Sequence, residues 1–273
     1  MAAITQPAPD FLHATLGRTG WPVFRLGLSA MYRPGVAALR EGFDAGMNYV
    51  LLSLRDVDMP LALREVFPAR RGEIVISAGT MFQHPWLVRR ALERALRKLG
   101  TDFIDVFLIG WVGDGKLKPR TLDLLQRFKD EGKIRATCIS THHRRYAGEL
   151  VQRGVLDVLM MRYNAAHRGA EQDIFPHLAA SNPGVVSYTA TRWTYLLRRQ
   201  RGWPEGERVP TAGECYRFVL TNPNVHVCFT SPRSAAELRE NLAEVAHGPL
   251  APDEMEWMRR FGNVVHARHK FFM

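Results

Sequence analysis

Eight short apolar runs, each separated from the next by an amphipathic stretch, constrain the fold of this chain more than any other feature. They lie at residues 24–28, 49–53, 74–77, 103–109, 135–140, 155–161, 185–188 and 225–229. Such alternation is the pattern of βαβ units and a parallel sheet. Several runs are hydrophobic throughout, as strands buried on both faces are. Between them, Leu87, Val88, Ala91, Leu92, Ala95, Leu96 and Leu99 recur at helical spacing and leave Arg89, Arg90, Arg94 and Lys98 on the opposite face. Leu122, Leu125 and Phe128 repeat the pattern, as do Leu238, Leu242 and Val245.

A doubly wound open sheet and a closed (β/α)8 barrel both fit this alternation. The open sheet would ordinarily carry a Gly-x-Gly-x-x-Gly turn after an early strand, and none is present. The sequence therefore predicts an α/β fold, a (β/α)8 TIM barrel occupying residues 1–273 as one domain, with its site on the C-terminal face. Arg18-Thr19-Gly20, between Leu16 and Val23, reads as the turn of an N-terminal β-hairpin cap, with Gly20 supplying the unusual backbone angle. Two longer irregular segments, 113–119 and 191–210, follow strands and fall on the C-terminal face; the second suits a mobile flap or a binding loop.

Composition narrows the class. With 273 residues, 46% hydrophobic and 23% charged, the chain has the make-up of a globular protein, and no apolar run approaches the length needed to span a bilayer. Residues 1–10 lack the basic start and apolar stretch of a secretory signal, so the expected compartment is the cytoplasm. The formal net charge of +10 arises from Arg scattered over many predicted helices, with no contiguous basic stripe interleaved with aromatics, so a nucleic-acid partner is not expected. Cys138, Cys215 and Cys228 show no Cys-x-x-Cys spacing and read as reduced, buried, inert thiols.

The sequence from Leu99 to Trp111, Leu-Gly-Thr-Asp-Phe-Ile-Asp-Val-Phe-Leu-Ile-Gly-Trp, resembles the fourth-strand signature of the aldo-keto reductases. Gly46-Met47-Asn48-Tyr49, Glu131-Gly132-Lys133-Ile134-Arg135, Ile139-Ser140 and Glu240-Asn241 match further family segments in the family's order. The resemblance implies a barrel in which NADPH gives hydride to a carbonyl carbon while a tyrosine delivers the proton, assisted by lysine, aspartate and histidine. Each of those four positions is changed here. The aspartate position falls on Leu51, the tyrosine position on or near Asp56, the lysine position about Ala78-Gly79 and the histidine position on Gly110. No Lys precedes Lys98, so a local shift of the alignment does not recover the lysine.

The same resemblance implies a partly kept cofactor site that binds NADP(H). Ser140 and Thr141 fall where a serine and an asparagine hold the nicotinamide carboxamide, Tyr188 where an aromatic ring stacks on the nicotinamide, and Met160 where a glutamine is expected. Ser231, Arg233, Glu240 and Asn241 match the segment that holds the adenosine end, with Ser234 as a helix N-cap and Glu237 where an arginine often meets the 2′-phosphate. The alternative is that Ser234, Glu240 and Asn241 only cap and solvate the last barrel helix.

The polar sequences after the fifth, sixth and seventh barrel strands, Thr141-His142-His143-Arg144, Arg162 to Arg168 and Thr189 to Trp193, should surround one mouth. They predict a basic pocket for a small, anionic or carbonyl-bearing molecule. His142, His167, Tyr163 and Tyr32 are the candidate replacements for the lost proton donor, since imidazole gives and takes protons near neutral pH and a phenol can donate to or orient a substrate oxygen. The structural alternative has His142 and His143 starting a helix and Arg162 paired with a carboxylate such as Glu171. A metal site from His142, His143, His167 and Glu171 has no diagnostic spacing and is not expected. The resulting expectation is a divergent nicotinamide-dependent oxidoreductase; the competing ones are a ligand-binding protein that has lost catalysis and a non-redox enzyme on the same barrel.

Overall fold

The computed structural model describes residues 10–53, 55–113 and 117–268. A small antiparallel hairpin, β1 (His13–Thr15) with β2 (Pro22–Phe24), precedes eight parallel strands: β3 (Leu26–Ser29), β4 (Tyr49–Leu52), β5 (Val75–Thr80), β6 (Ile104–Ile109), β7 (Ile134–Ser140), β8 (Val158–Arg162), β9 (Gly184–Tyr188) and β10 (Val227–Thr230). β10 closes on β3, so the sheet is a barrel without edges. The first apolar run is divided between β2 and β3, because the chain turns from hairpin into barrel at Arg25.

The helices on the outside are α1 (Val36–Asp44), α2 (Asp58–Arg70), α3 (Pro85–Leu99), α4 (Pro119–Asp130), α5 (Arg144–Gln152), α6 (Ala170–Asp173), α7 (Ala212–Thr221), α8 (Ala235–Ala246) and α9 (Pro252–Arg268). α3 buries Val88, Ala91, Leu92, Ala95 and Leu99, the apolar stripe its spacing predicts, and ends at Gly100 in the left-handed region. No described helix is long and apolar enough to cross a membrane.

Strand alternation divides the core into two layers. Inward-facing Tyr49, Val75, Val106, Cys138, Val158, Met160, Val186, Val227 and Phe229 fill the barrel, with the Tyr49 and Phe229 rings 5.4 Å apart. Outward-facing Leu28, Val50, Ile76, Phe107, Ile139 and Leu159 pack under the helices. The hairpin closes the N-terminal end with Leu16 and Val23. Gly17, at φ +47°, lies so near the 183–184 peptide that a Cβ would stand 2.5 Å from it, so only glycine fits there.

Two nearly buried aspartates pin this lower end. Asp157 accepts from Arg18, Lys129 and the Thr137 amide at 2.8–2.9 Å. Asp105 joins the Ile76 amide to Arg71 and Arg135, all at 3.0 Å. Burial opposes ionisation of Asp157, but Lys129, the Thr137 amide and Arg18 outweigh it and hold its carboxyl below the ordinary value.

Candidate functional site

The C-terminal mouth is chemically divided. On the β4–β6 side the inward positions are Leu51, Gly79, Leu108 and Gly110, which offer no polar side chain. At Gly79 even a Cβ is impossible, because it would overlap the Leu108 carbonyl group. Gly110 differs: a Cβ there would stand 3.6 Å from Met81 Cγ, an ordinary contact. Asp56, at the expected tyrosine position, is buried with its carboxylate on the Ser53 amide at 2.8 Å, and its backbone carbonyl accepts from Lys98. Burial raises the Asp56 carboxyl above its ordinary value, against the pull of that amide and of Lys98.

Polar groups gather on the β7–β9 side. Ser140 and Met160 are partners across β7 and β8, and Arg162 and Tyr188 across β8 and β9. Alternation turns these four side chains inward. The Tyr188 hydroxyl is buried near Ser140 without a well-formed hydrogen bond among the described residues. Burial pushes its phenol up, while Ser140 and the Arg162 charge draw it partly back. Thr141 is spent on the loop: its hydroxyl donates to the Val112 carbonyl at 2.7 Å and accepts the His143 amide at 3.0 Å. The latter bond fixes the start of α5, where His143 is the cap residue.

His142 stands half-buried in the mouth, and Trp111 donates its indole N–H to His142 Nε2 at 3.1 Å. Burial, Arg162 and His143 all disfavour the imidazolium, so His142 titrates below its ordinary range. His167 lies deeper. Its amide is held by Asn164, its ring meets the edge of the His266 ring at 5.3 Å, and its buried Nε2 has no hydrogen-bond partner among the described residues. Burial, then Arg162, Arg192, His266 and Arg144, bring its pKa down to about 3. Arg162 and Arg192 are 8% and 2% exposed, and burial together with their mutual repulsion lowers the proton affinity of Arg162. A crevice of about 10 Å³ lies among Thr141, His142, Arg144, Arg162 and His167.

Tyr163 does not join this group. One residue beyond Arg162, it points outward, wholly buried against Phe175 and Phe218, with its hydroxyl donating to Glu171 at 2.7 Å and accepting from Asn222 at 3.1 Å. Burial and Glu171 push its phenol well up. Strand parity is the physical reason that Tyr163 leaves the mouth while Arg162 enters it. Glu171 is also not the partner expected for Arg162; it pairs with Arg259 from α9 at 3.1 Å.

Tyr32 is half-exposed on the rim, with the Arg233 guanidinium 5.5 Å from its ring centroid. Ser231 donates to the Ser29 carbonyl at 3.3 Å and so ties the ends of β10 and β3 together. Ser234 caps α8 by accepting the Glu237 amide at 3.2 Å, and Glu237 returns its carboxylate to the Arg233 amide at 2.8 Å. Asn241 is buried and donates to Thr230, whose hydroxyl donates to Tyr216. It thus fastens α8 to the barrel, whereas Glu240 is exposed.

Segment 191–210 is anchored. Trp203 is buried edge-on against Phe261 at 4.9 Å, and Arg208 forms a double contact with Glu214 at 2.6 and 2.8 Å. His266 reaches the mouth from α9, a long-range docking for which no local pattern in the sequence is a signal. Among the described residues no group of three metal-ligating side chains converges. A larger crevice of about 450 Å³ lies outside the barrel between the starts of α3 and α4, where Gln83 is spent on the Lys118 amide and the Thr121 hydroxyl.

Comparison with known proteins agrees with this architecture. The NADH-specific methylglyoxal reductase of Escherichia coli is 28% identical over 196 residues, 63% of this chain and 58% of the relative. The methylglyoxal reductase YeaE of the same organism is 24% identical over 173 residues, 60% of each chain. The chain thus spans less than two thirds of these curated relatives. The aldo-keto reductase AKR11C1 from Bacillus halodurans in its holo form superposes with a TM-score of 0.75 at 21% identity, covering 91% of this chain and 95% of that one. The aldo/keto reductase family model matches residues 84–210, from the start of α3 through the polar half of the mouth and the anchored segment after β9. By that match the middle of the chain is similar to the aldo/keto reductase family, and the barrel is the fold of the solved reductase it superposes on.

Proposed function

We propose that this protein is a nicotinamide-nucleotide-dependent oxidoreductase acting on a small carbonyl compound, with its proton-handling groups moved from the β4–β6 side of the mouth to the β7–β9 side. The observation that carries this reading is the division of the mouth. The side vacated by Leu51, Gly79 and Gly110 faces a set of polar groups, His142, Arg162, His167 and Tyr188, which other strands of the same barrel deliver to the same end. Similarity of residues 84–210 to the aldo/keto reductase family supports the redox chemistry.

The residues present fit a nicotinamide dinucleotide in part. Tyr188 presents a mostly buried ring whose hydroxyl has no well-formed hydrogen bond among the described residues, and Ser140 lies beside it. Thr141 is already spent on Val112, which leaves Ser140 and Tyr188 to hold a carboxamide. The Arg233 guanidinium, over the Tyr32 ring on the rim, would offer its charge to a diphosphate. Bound there, the dinucleotide would supply or accept the hydride.

Glu237 supports NADH ahead of NADPH. Its carboxylate occupies the Arg233 amide at the mouth of α8 and would repel a further phosphate at that place, while a ribose hydroxyl could donate to it. The expectation of NADP(H) rested on Arg233, whose guanidinium is turned over Tyr32.

On the protein side, His142 would touch a substrate oxygen, a reading supported by its half-buried position in the mouth. With Nε2 accepting from Trp111, its other nitrogen, Nδ1, carries the hydrogen and donates. Arg162 steadies negative charge developing on that oxygen. Tyr32, exposed on the rim beneath Arg233, is the second donor within the same face.

Tryptophan fluorescence on titration with NADH and NADPH, followed by NADH oxidation in the presence of methylglyoxal, the substrate in the relatives' names, tests the reading. Saturable NADH binding with turnover that falls in His142→Ala supports it. Binding without hydride transfer to any carbonyl favours the second reading, a ligand-binding barrel that has lost catalysis, for which the sealed position at Gly79 is the specific support. No binding of either nucleotide overturns both dinucleotide readings.

A further inference from the structure

We propose that the mouth is built for an amphipathic carboxylate: an acid whose head lies on the Arg162 and Arg192 side and whose apolar body lies over the Leu51, Gly79 and Gly110 side. This names the substrate class of the site proposed above and rests on the mouth being a binding site.

The head-group side is defined by geometry. Arg162 ends β8 and Arg192 follows β9, and both guanidinium-bearing side chains are more than nine-tenths buried within electrostatic reach of each other and of His167. His167 adds a buried Nε2 with no hydrogen bond among the described residues, on the wall of the crevice that Arg162 and His142 also line. Guanidinium groups hold carboxylates through paired, directional hydrogen bonds, and a neutral imidazole beside them contributes a further donor or acceptor without adding repulsion.

The other side takes no charge. Leu51, Leu108 and the two glycines floor it, and Met81 leans toward Gly110 from the rim. Every large hydrophobic side chain that is exposed among the described residues lies in the loop or first helical turn after a barrel strand. Met31, Tyr32, Met81, Phe82 and Trp111 carry this apolar surface around the β3–β6 side, with exposures from 47% to 69%. Such a patch, confined to one face and abutting a cationic cluster, is the complement of a ligand with one charged and one apolar end. Trp111 joins the two sides, its ring on the apolar rim and its N–H on His142.

Isothermal titration in the absence of nucleotide, with 4-phenylbutyrate, 4-phenylbutanol and butyrate as probes, tests this. The acid with the apolar body should bind at least about tenfold more tightly than either partial probe, since each lacks one half of the complement. Arg162→Gln should reduce phenylbutyrate to the affinity of the alcohol, and Arg192→Gln serves the same purpose where the buried Arg162 replacement fails to fold. Met81→Glu, at an exposed position, should weaken phenylbutyrate and leave butyrate unchanged. Equal affinity for acid and alcohol, insensitivity to both arginine replacements, or no binding of phenylbutyrate overturns the proposal. NADH binding measured on the same samples separates the two readings: intact NADH binding without acid binding removes the substrate class alone, and the reverse removes the redox reading alone.

Discussion

Trp111 and His142, from the loops after β6 and β7, are joined by a 3.1 Å hydrogen bond from the indole N–H to imidazole Nε2. The bond bridges the apolar and polar sides of the mouth. It also sets the tautomer, because a nitrogen that accepts cannot carry the hydrogen. A donor aimed at Nε2 favours the neutral ring.

Trp111→Phe should therefore raise the His142 pKa from its lowered value and release the Nδ1–H tautomer. Arg162→Gln should raise it as well, by removing a positive charge that opposes protonation. Histidine nitrogen shifts followed by NMR across pH 5–8, the range about the ordinary histidine value, check both. A pKa unmoved by either change would remove His142 from the electrostatic network of the mouth.

Gly79 and Gly110 stand about where the resemblance to the reductases implies a lysine and a histidine, and they should respond oppositely to substitution. A side chain at Gly79 would drive its Cβ into the Leu108 carbonyl, whose carbon would be 2.6 Å away, and backbone cannot yield as a side-chain tip can. Gly79→Ala should cost about 3 kcal/mol or more of stability, at the upper end of overpacking effects. Gly110→His meets only ordinary contact at its first carbon and should fold with near-native thermal stability. Thermal unfolding of the two variants decides the matter, and a stable Gly79→Lys protein would show that the strand can open to admit the side chain.

The barrel was legible because periodicity carries it: the apolar stripe Val88, Ala91, Leu92, Ala95, Leu99 is local information, and the structure buries those residues. The placement of the site was only partly so. Arg162 and Tyr163 are adjacent letters with the same polar appeal, and strand parity, fixed by tertiary register, sends one into the mouth and the other under the helices. His266 comes to His167 across 99 residues of chain, and nothing near either histidine in sequence announces it. The close approach of Gly79 to Leu108 was equally silent, since a glycine letter does not say what its missing Cβ would strike.

Asp157 offers a stability test remote from the mouth. Its carboxylate receives Arg18, Lys129 and the Thr137 amide, so Asp157→Asn leaves two partly exposed cations without their counter-charge. Loss of charge-assisted hydrogen bonds to a buried carboxylate costs roughly 1.5–3 kcal/mol. Because the folded carboxyl is held below its unfolded value, this contribution is present above the unfolded pKa and is lost as pH falls through the folded one. Denaturant unfolding at neutral pH should show the full loss in Asp157→Asn, while ligand binding at the mouth stays unchanged.

Acid sensitivity should begin at a higher pH and come from histidines. His226 accepts the Val185 amide on Nδ1 at 2.9 Å, and burial followed by Arg25 brings its pKa down to about 4, as burial and the mouth arginines bring that of His167 down to about 3. Both remain neutral in the folded chain, whereas in the unfolded chain they take up protons near the ordinary value of 6.5. The unfolded state thus binds more protons below that point, so stability is full above pH 6.5 and declines as pH falls toward 4 for His226 and 3 for His167. Fully expressed, each contributes roughly 3–5 kcal/mol of acid destabilisation. Replacing His167 with Gln should flatten the decline between about pH 6.5 and 4.5, above the range in which Asp157 and other carboxylates titrate. A His167→Gln protein whose unfolding free energy still tracks that of the parent through this interval would place the protonated ring within reach of solvent in the folded state.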